Sequence, residues 1–255
     1  MTVAWIELDG AHNARDLGGL RAGDARTRSG VLLRSDALHE LSAADVTHLV
    51  DVVGLAHVVD LRSGAERLER GRGPLGSTGV RYTELEVIGP DVLARRAETR
   101  AASFAAGLSP AAILSDGYVE LLDLGAAAFT KAFAAIVEPG GVPALVHCAI
   151  GKDRTGVLIA LCLDAAGVDR AEIVADYARS GERMAPIIAR WTEANPSSGL
   201  TEQLAAFTAM AVPETMEQVL AHLHERWGGA GGYLMANGQS PEVIERWRAQ
   251  LIDPG

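Results

Sequence analysis

One ten-residue stretch, His147 to Gly156 with the sequence HCAIGKDRTG, constrains the fold more than any other part of the chain. The run before it, 142–146, is apolar and partly β-branched like a buried strand, and the run after it, 155–166, is apolar enough for a core helix. The stretch is therefore predicted to be a loop between a strand end and a helix start. There, successive backbone N–H groups and the unpaired amides of the first helical turn can converge on an anion. The sequence thus predicts a site the size of a phosphate group.

The loop places one thiol and one guanidinium at its two ends, at Cys148 and Arg154. We expect Cys148 to be largely a thiolate near neutral pH, because it would lie at a helix N-terminus close to Arg154 and Lys152, and the thiolate is the nucleophilic form. The planar fork of Arg154 can bind two phosphate oxygens at once and hold them in the transition state. The hydroxyl of Thr155 would steady the thiolate when it leaves.

These residues resemble the signature loop of the protein tyrosine phosphatase superfamily, in which Cys, five residues and Arg are followed by Ser or Thr. The sequence GKDRTG is similar to an atypical bacterial branch whose members act on phosphotyrosine, sometimes on phosphoserine or phosphothreonine, and on phosphoinositides. Four further stretches match that branch: NARDLGG (13–19), RSDALHEL (34–41), VVDLRS (58–63) and YLMANG (233–238). The resemblance covers almost the whole chain. It implies an α/β fold of the tyrosine phosphatase type, with a central, mostly parallel sheet of four to five strands flanked by helices, in one phosphatase domain of residues 1–255.

The resemblance also implies hydrolysis of phosphate monoesters through a cysteinyl-phosphate. The expected substrate is phosphotyrosine, and a dual-specificity enzyme would also accept phosphoserine or phosphothreonine. No metal or cofactor is expected, because Arg154, Lys152 and the backbone supply the positive field. Many family members carry their general acid in a Trp-Pro-Asp loop, but none of the four tryptophans here is followed by Pro-Asp. Asp153 matches the acid of the atypical branch, so Cys148, Arg154 and Asp153 are the predicted catalytic residues. Asp60 and Asp116 are the alternatives for the acid.

Nine residues are predicted to line or support the substrate site: His147, Ala149, Ile150, Gly151, Lys152, Thr155, Asp60, Arg62 and Arg15. His147 is expected to orient Cys148 by hydrogen bonding. Asp60 ends a predicted parallel strand, 57–61, at the sheet edge that delivers Cys148, where ligands bind in such folds. It is interpreted as a hydrogen-bond partner of Lys152, a reserve proton donor or a structural acid bracing the loop. Arg15 is interpreted either as half of an ion pair with Asp16 that pins the N-terminal segment, or as a wall of the pocket.

Other interpretations of the loop are weaker or remain as rivals. A nucleotide-binding P-loop needs Ser or Thr directly after Gly-Lys, and here Asp153 and Arg154 intervene. A zinc site is disfavoured because there is no Cys-x-x-Cys and because His222 and His224 would point to different helix faces. A phosphoinositide phosphatase would use the same residues with a wider, more basic pocket. A non-catalytic phosphate-binding module would require the loss of the nucleophile or the arginine, and both are present.

The net charge of −10 and the pI near 5.2 argue against a nucleic-acid partner. A phosphorylated protein or phosphoinositide would have to be attracted by a local field, for which the arginine-rich stretches 62–72 and 95–100 are candidates and ordinary solvated faces the alternative. Two cysteines exclude a disulfide framework and suggest a reducing compartment. The N-terminus has no secretory signal pattern, and the longest apolar run, 156–163, is too short for a bilayer span. We therefore expect a cytoplasmic protein without integral membrane association, with unsignalled export as the alternative; the oligomeric state is not predicted.

The remaining patterns give a list of elements. Strands are predicted over 3–8, 31–34, 57–61 and 81–87, and helices over 43–53, 110–124, 126–138, 155–166, 170–180, 213–227 and 241–252. Residues 90–108 are interpreted as a helix of uncertain ends or a mobile connection. Residues 181–212, interrupted at 195–199, match the place where relatives carry a helical lid, and an ordinary peripheral helix pair is the alternative.

Overall fold

Two sheets form in the part of the chain that the computed structural model describes, residues 5–194 and 202–255. The main sheet has five strands in the order β1-β4-β7-β5-β6. Four of these strands are parallel, and only β1 at one edge is antiparallel to its neighbour. The strands are β1 Arg15–Asp16, β4 Leu32–Ser35, β5 His57–Asp60, β6 Arg81–Glu84 and β7 Ala144–His147. The predicted α/β fold with a mostly parallel sheet of four to five strands is confirmed.

The carboxyl ends of the three inner strands are level. His147, the last residue of β7, is in register with Ser35 at the end of β4 and with Asp60 at the end of β5. All three strands are fully buried, as expected for the interior of a parallel sheet. The residues that follow these strands therefore emerge side by side at one edge, which is where Cys148 lies.

A second sheet of three short antiparallel strands was not predicted. It joins β2 Arg21–Ala22 and β3 Ala25–Thr27 to β8 Ile252–Asp253 near the C-terminus. Strands of two or three residues are too short to show the alternation by which strands are recognised in a sequence. The sheet ties the two ends of the described chain together.

Helices cover the main sheet and enclose one central helix, α6. Twelve of its 14 residues are buried, so its apolar surface extends all round and needs neighbours on every side. It packs against α4, α5, α7, α11 and α12. The helices in the described residues are α1 Ala43–Thr47, α2 Gly64–Arg70, α3 Pro90–Ala105, α4 Pro110–Leu124, α5 Ala126–Val137, α6 Asp153–Ala166, α7 Arg170–Arg179, α8 Met184–Ala194, α9 Glu202–Ala209, α10 Pro213–Trp227, α11 Ala230–Ala236 and α12 Pro241–Leu251.

Some predicted elements differ from the observed ones. In its described part, the strand predicted over 3–8 is only an isolated bridge between Trp5 and Arg15, and the interruption predicted at 195–199 lies outside the described residues. The helix predicted over 43–53 is a short α-helix followed by a π-helical turn, His48–Val52. The undecided stretch 90–108 forms α3, whereas α2 and α11 were not predicted as helices.

Candidate active site

The loop of residues 148–152 connects β7 to α6, as its sequence predicts. Gly151 adopts a φ of 68°, and a Cβ at this position would lie 2.4 Å from the carbonyl oxygen of Ser35. Only glycine combines that left-handed conformation with so close an approach. Gly151 thus lets the loop turn tightly against the end of β4.

The backbone carbonyls of the loop are bound from outside, which leaves its amides available. The oxygens of residues 149–151 accept hydrogen bonds from the Ala37 amide, the Asn13 side chain and the Arg34 guanidinium, over 2.7–3.3 Å. The N–H groups of residues 149–152 donate to no group in the described part of the chain. With the carbonyls turned outward, these N–H groups can converge on an anion. This arrangement supports the phosphate-sized nest, which stays a prediction.

A buried ion cluster holds the outer side of the loop. Asp176 on α7 accepts hydrogen bonds from Arg15 at 2.7 Å and from Arg34 at 2.6 Å, and all three side chains are almost fully buried. Burial alone would raise the pKa of Asp176, but the two guanidinium groups hold it below its usual range. The prediction of Arg15 as a pocket wall is therefore wrong. Its pairing with Asp16 is also wrong, because Asp16 instead accepts the amides of Gly18 and Gly30.

Arg154 is fixed by a carboxylate that the sequence did not reveal. Its Nη1 and Nη2 donate to Oε2 and Oε1 of Glu66 at 2.7 and 2.8 Å, and both side chains are largely buried. Glu66 also accepts the backbone amide of Ser63 as part of the capping box that starts α2. Burial disfavours the charged form of Arg154, but the bond to Glu66 and the nearby Cys148 raise the pKa of Arg154 above its ordinary value. The guanidinium is thus charged, oriented and near the thiol.

Asp153 was predicted to lie inside the loop, but it is the first residue of α6, where it is held as an anion. Its Oδ1 accepts the Tyr118 hydroxyl at 3.0 Å and an Arg100 N–H at 3.3 Å, and the Lys152 ammonium is 3.9 Å away. Burial raises the pKa of Asp153, but Lys152, Arg100 and Tyr118 outweigh it and leave the pKa below its usual range. Oδ2 makes no hydrogen bond to a described residue, so it is the oxygen that can exchange a proton with a substrate.

Lys152 does not point into the loop. Its ammonium donates to the carbonyl oxygens of Thr208, at 2.6 Å, and Met210, at 2.9 Å, at the end of α9. The side chain is 1% exposed, and burial lowers its pKa. The side chain therefore joins the loop to the segment after α9, and the prediction that its ammonium contacts the substrate is not supported.

His147 and Asp60 brace the loop from below. The ring Nδ1 of His147 lies 3.0 Å from the carbonyl oxygen of Cys148 and must be the donor, since a carbonyl can only accept. Burial lowers the pKa of His147, which favours the neutral ring. Asp60 binds Arg62 at 2.7 Å and lies 3.7 Å from the His147 ring. Burial opposes its charge, but His147 and Arg62 reduce the pKa of Asp60 to about 2. Its predicted partner Lys152 is thus wrong, because the carboxylate binds Arg62 instead, and its role as a reserve proton donor stays a prediction.

Thr155 follows Arg154 at the start of α6 and is completely buried. Its hydroxyl has no hydrogen-bond partner among residues 5–194 and 202–255. A buried hydroxyl without a partner is costly. The prediction that it interacts with the thiolate would account for its placement.

A cavity opens beside the loop and continues the site. Ala149 and Ile150 form its floor, α2 with the preceding turn forms one wall, and α8 forms another. Arg62 is one of its basic residues, and Nη1 of Arg62 has no hydrogen-bond partner in the described chain. The residues of the cavity are Ala37, His39, Glu40, Arg62, Glu66, Glu69, Arg70, Ala149, Ile150, Ile187, Arg190 and Trp191.

Helix α8 is tied to the body beside this cavity. Arg190 donates to Asp36 at 2.8 Å and to the carbonyl oxygen of Gly10 at 2.9 Å. Asp36 in turn accepts the backbone amides of His12 and Asn13. The helix predicted as part of a lid therefore forms a wall of the cavity and is held by the segment that also supports the loop.

Several supporting residues were not predicted: Asn13, Arg34, Glu66, Arg100, Tyr118 and Asp176. Asn13 and Arg34 lie within the matched stretches 13–19 and 34–41, which was the available signal. Glu66 has the Ser-x-x-Glu spacing of a capping box, but this spacing does not reveal its bond to Arg154. Arg100 lies in the arginine-rich stretch 95–100, which was predicted only as a source of local field, and the sequence carries no signal for Tyr118 or Asp176.

The described residues contain neither a metal-ligand cluster nor a helix suited to a membrane. No group of three or more His, Cys, Asp or Glu side chains in residues 5–194 and 202–255 is placed to hold a metal ion. No helix in the same residues combines the length and apolarity needed to cross a membrane.

Comparison with known proteins places these features in a family. The sequence model of the tyrosine phosphatase family matches residues 6–253. The chain is 31% identical to the triple specificity protein phosphatase PtpB of Mycobacterium tuberculosis, over 98% of this chain and 100% of that protein. It is also 31% identical to a putative tyrosine-protein phosphatase of Cupriavidus necator, over 90% of this chain and 82% of that one.

Solved structures give more distant similarities. The catalytic core of the PP-IP phosphatase Siw14 from S. cerevisiae has 16% identity and a TM-score of 0.36, over 86% of this chain and 95% of that chain. TpbA of P. aeruginosa has 18% identity and a TM-score of 0.32, over 71% and 91% of the two chains.

Proposed function

The chain belongs to the tyrosine phosphatase family, and on that premise we propose that it hydrolyses phosphotyrosine through a covalent phosphate ester of Cys148. One observation carries the proposal. The amides of residues 149–152 are free while their carbonyls are bound from outside, and Arg154 is held in place by Glu66 at the far end of the loop. This arrangement binds a tetrahedral dianion above the thiol.

The reaction has two steps. The sulfur anion of Cys148 attacks phosphorus, the bond to the ester oxygen breaks, and the departing oxygen takes a proton. Water then attacks phosphorus, the sulfur–phosphorus bond breaks, and the water gives up its proton. Arg154 and the loop amides bind the non-bridging oxygens throughout, so their positive field supports both trigonal bipyramidal transition states. Thr155 stabilises the sulfur anion released in the second step.

Asp153 is the proton donor of the first step and the acceptor of the second. Its depressed pKa keeps it ionised in the free enzyme. An arriving phosphate dianion opposes the charges of Lys152 and Arg100, and a neighbouring negative charge favours the protonated carboxyl. Oδ2, which is not engaged by the described residues, is the oxygen that carries the proton.

Phosphotyrosine is the substrate that these features support best. An aryl group can lie over Ala149 and Ile150 in the cavity beside the loop, between α2 and α8. The C. necator relative is named as a tyrosine-protein phosphatase, and the name of the M. tuberculosis relative includes triple specificity. We therefore include phosphoserine and phosphothreonine as secondary substrates.

A phosphoinositide phosphatase is the second candidate, because Arg62, Arg70 and Arg190 line the same cavity and could bind further headgroup phosphates. The part of this argument that rested on Lys152 is weakened, since its ammonium is bound by Thr208 and Met210. A binding module without catalysis is disfavoured by the intact Cys148 and Arg154.

The test is hydrolysis in the presence of EDTA, with phosphotyrosine peptides, phosphoserine peptides and phosphoinositides compared as kcat/KM. We expect the phosphotyrosine peptides to give the highest value. A higher value for phosphoinositides would transfer the assignment to the second candidate. No hydrolysis of any of the three, by a protein that still binds vanadate, would contradict the proposal.

We further propose one phosphatase domain over 1–255, with a lid within 181–212, that needs no metal or cofactor and takes its substrate in the cytoplasm. The wall formed by α8 and the bond of Lys152 to Met210 support the lid. The two cysteines, both free, support a reducing compartment. Export without a classical signal is the alternative location.

A further inference from the structure

A second cavity lies between α3 and α4, on the other side of Asp153 from the main body of the loop. Its volume is about 430 Å³, within the range of roughly 300–1,000 Å³ that is typical of ligand sites. Three guanidinium groups and two hydroxyls line it, together with two carboxylates at its rim. The residues are Arg95, Arg96, Thr99, Arg100, Ser103, Leu108, Ile113, Asp116, Gly117 and Glu120.

Arg96 is the buried element of this cavity. Its side chain is 8% exposed, and its Nη1 has no hydrogen-bond partner among the described residues. The nearest carboxylate oxygen, from the half-exposed Glu120, is 3.7 Å away, which is beyond hydrogen-bonding distance. A buried guanidinium N–H without a partner is costly, so the position is explained if a ligand supplies the missing acceptor.

The absence of a side chain at Gly117 leaves the space that the Arg96 guanidinium occupies. Gly117 lies inside helix α4, where glycine is less favourable than alanine. A Cβ at this position would come within 2.8 Å of Nη2 of Arg96. Helix α4 therefore has a residue of low helix propensity at the point where the Arg96 guanidinium contacts it.

Arg100 extends the positive charge towards the active loop. Its Nη2 binds Asp153 at 3.3 Å, and its Nε has no hydrogen-bond partner in the described chain. Burial and Arg100 lower the pKa of Arg96, whereas Asp153 and Glu120 raise it. The guanidinium groups of Arg96 and Arg100 lie close together, since a Cβ at position 117 would come within 2.8 Å and 3.8 Å of their Nη2 atoms, and their like charges repel each other. An anion between them would relieve this repulsion.

We propose that the cavity between α3 and α4 binds a phosphate group, separate from the phosphate held by the loop. The ligand is a tetrahedral dianion that accepts hydrogen bonds from Arg96, Arg100 and the hydroxyls of Thr99 and Ser103. The phosphate is either a second phosphate of a polyphosphorylated headgroup or a free phosphate ion, since both present the same oxygens. Arg100 is already paired with Asp153, so the site rests on the N–H groups that lack an acceptor among the described residues, Nη1 of Arg96 and Nε of Arg100. The inference does not depend on the proposed reaction.

Calorimetric titration with tungstate, a tetrahedral oxyanion, tests the site directly. The wild type is expected to bind two tungstate ions per chain, and both Arg96→Gln and Arg154→Met are expected to bind one. Gly117→Ala keeps every charge but displaces the Arg96 guanidinium, and should weaken the second ion about tenfold. One ion in the wild type, or two in Arg96→Gln, would overturn the inference. Loss of both ions in Arg154→Met would also overturn it, provided that circular dichroism shows this variant to be folded.

A second arm separates the two sources of phosphate. Soluble phosphoinositides with one and with two phosphate groups on the ring are compared as substrates of the wild type and of Arg96→Gln. If Arg96→Gln has about tenfold lower kcat/KM than the wild type for the headgroup with two phosphates, and not for the headgroup with one, the site belongs to the substrate. If the ratio of kcat/KM for the two headgroups is the same in both proteins, and Arg96→Gln still loses the second tungstate ion, the site belongs to free phosphate. Tungstate binding is measured without turnover. The binding result therefore tests this site even if the protein does not catalyse the proposed hydrolysis.

Discussion

The guanidinium of Arg154 and the carboxylate of Glu66 meet through two parallel hydrogen bonds of 2.7 and 2.8 Å. Planar, two-point pairs of this kind fix the orientation of both groups. Glu66 is itself positioned by the N-terminal cap of α2, so the first turn of one helix orients a residue at the start of another. In the proposed reaction, Arg154 is thereby oriented before the substrate arrives.

Glu66→Gln should reduce kcat/KM for a phosphotyrosine peptide by about 10- to 100-fold, because Arg154 loses its charged partner and its fixed orientation. Glutamine still accepts the Ser63 amide in the capping box, so α2 remains intact and the change isolates the charge. Steady-state kinetics provide the measurement. Glu245→Gln on α12, whose carboxylate is 67% exposed and which does not line the cavity, is the control and should change the value less than twofold. Equal effects of the two substitutions would show that Glu66 does not act through Arg154.

Asp153→Asn should lower kcat for phosphoserine peptides by about 10² to 10⁴ and affect an activated aryl phosphate little, because only a poor leaving group needs the proton. Equal losses on both substrates would remove the acid role from Asp153. Asp60→Asn and Asp116→Asn would then be compared on the same two substrates to locate the acid.

The pH dependence should follow the depressed pKa of Asp153. A carboxyl with a lowered pKa keeps its proton only at lower pH, so kcat/KM for phosphoserine should fall as the pH rises. Arg100→Gln removes one of the charges that lower this pKa and should move the falling limb to higher pH. Rate–pH profiles of the wild type and Arg100→Gln are the measurement. A limb that moves to lower pH, or one that persists in Asp153→Asn, would contradict the assignment.

Lys152→Met should loosen the segment after α9 without much loss of phosphate affinity. The ammonium binds the carbonyl oxygens of Thr208 and Met210, and methionine fills the space without those bonds. We expect faster hydrogen exchange at residues 208–212 and less than a threefold change in vanadate affinity. A loss of affinity as large as that of Arg154→Met, with exchange unchanged, would mean that the ammonium contacts the substrate.

Asp176→Asn should destabilise the fold by about 3–5 kcal/mol, because it leaves Arg15 and Arg34 buried around a neutral group. Urea denaturation near pH 7 is the measurement. The exposed pair of Arg28 and Asp253, 3.8 Å apart, supplies the control, and Asp253→Asn should cost less than about 1 kcal/mol.

The stabilisation by Asp176 should also depend on pH. The pKa of Asp176 is lowered in the folded protein, so its contribution is present above the unfolded pKa and is lost as the pH falls through the folded pKa. The difference in the free energy of unfolding between the wild type and Asp176→Asn should therefore become smaller at acidic pH. A difference that stays constant or widens in acid would contradict the ionised cluster.

The parts of the site that lie close together in the chain could be predicted from the sequence. The spacing of Cys148 and Arg154 and the flanking apolar runs define the loop, and Ser109 with Pro110 marks the start of α4 at the observed residue. These features depend on a few neighbouring residues, where backbone geometry and hydrogen-bond capacity leave few alternatives.

The partners of buried charges could not be predicted in the same way. Arg15 binds Asp176, which is 161 positions away in the sequence. Lys152 binds two backbone carbonyl groups, and a carbonyl partner leaves no signature in a sequence. Each charge had several candidate partners, such as Asp16 for Arg15, and the choice depends on how the helices pack. The errors at Arg15, Asp60 and Lys152 all have this cause.

The account depends on covalent capture of phosphate by Cys148, and mass spectrometry of acid-quenched enzyme tests it most directly. The enzyme is mixed with a phosphotyrosine peptide in the presence of EDTA, quenched during turnover and digested. We predict one added phosphoryl group on the fragment containing Cys148, none in Cys148→Ser, and no turnover by that variant although it still binds vanadate. Sustained turnover by Cys148→Ser, or a phosphoryl group on another residue, would contradict the account.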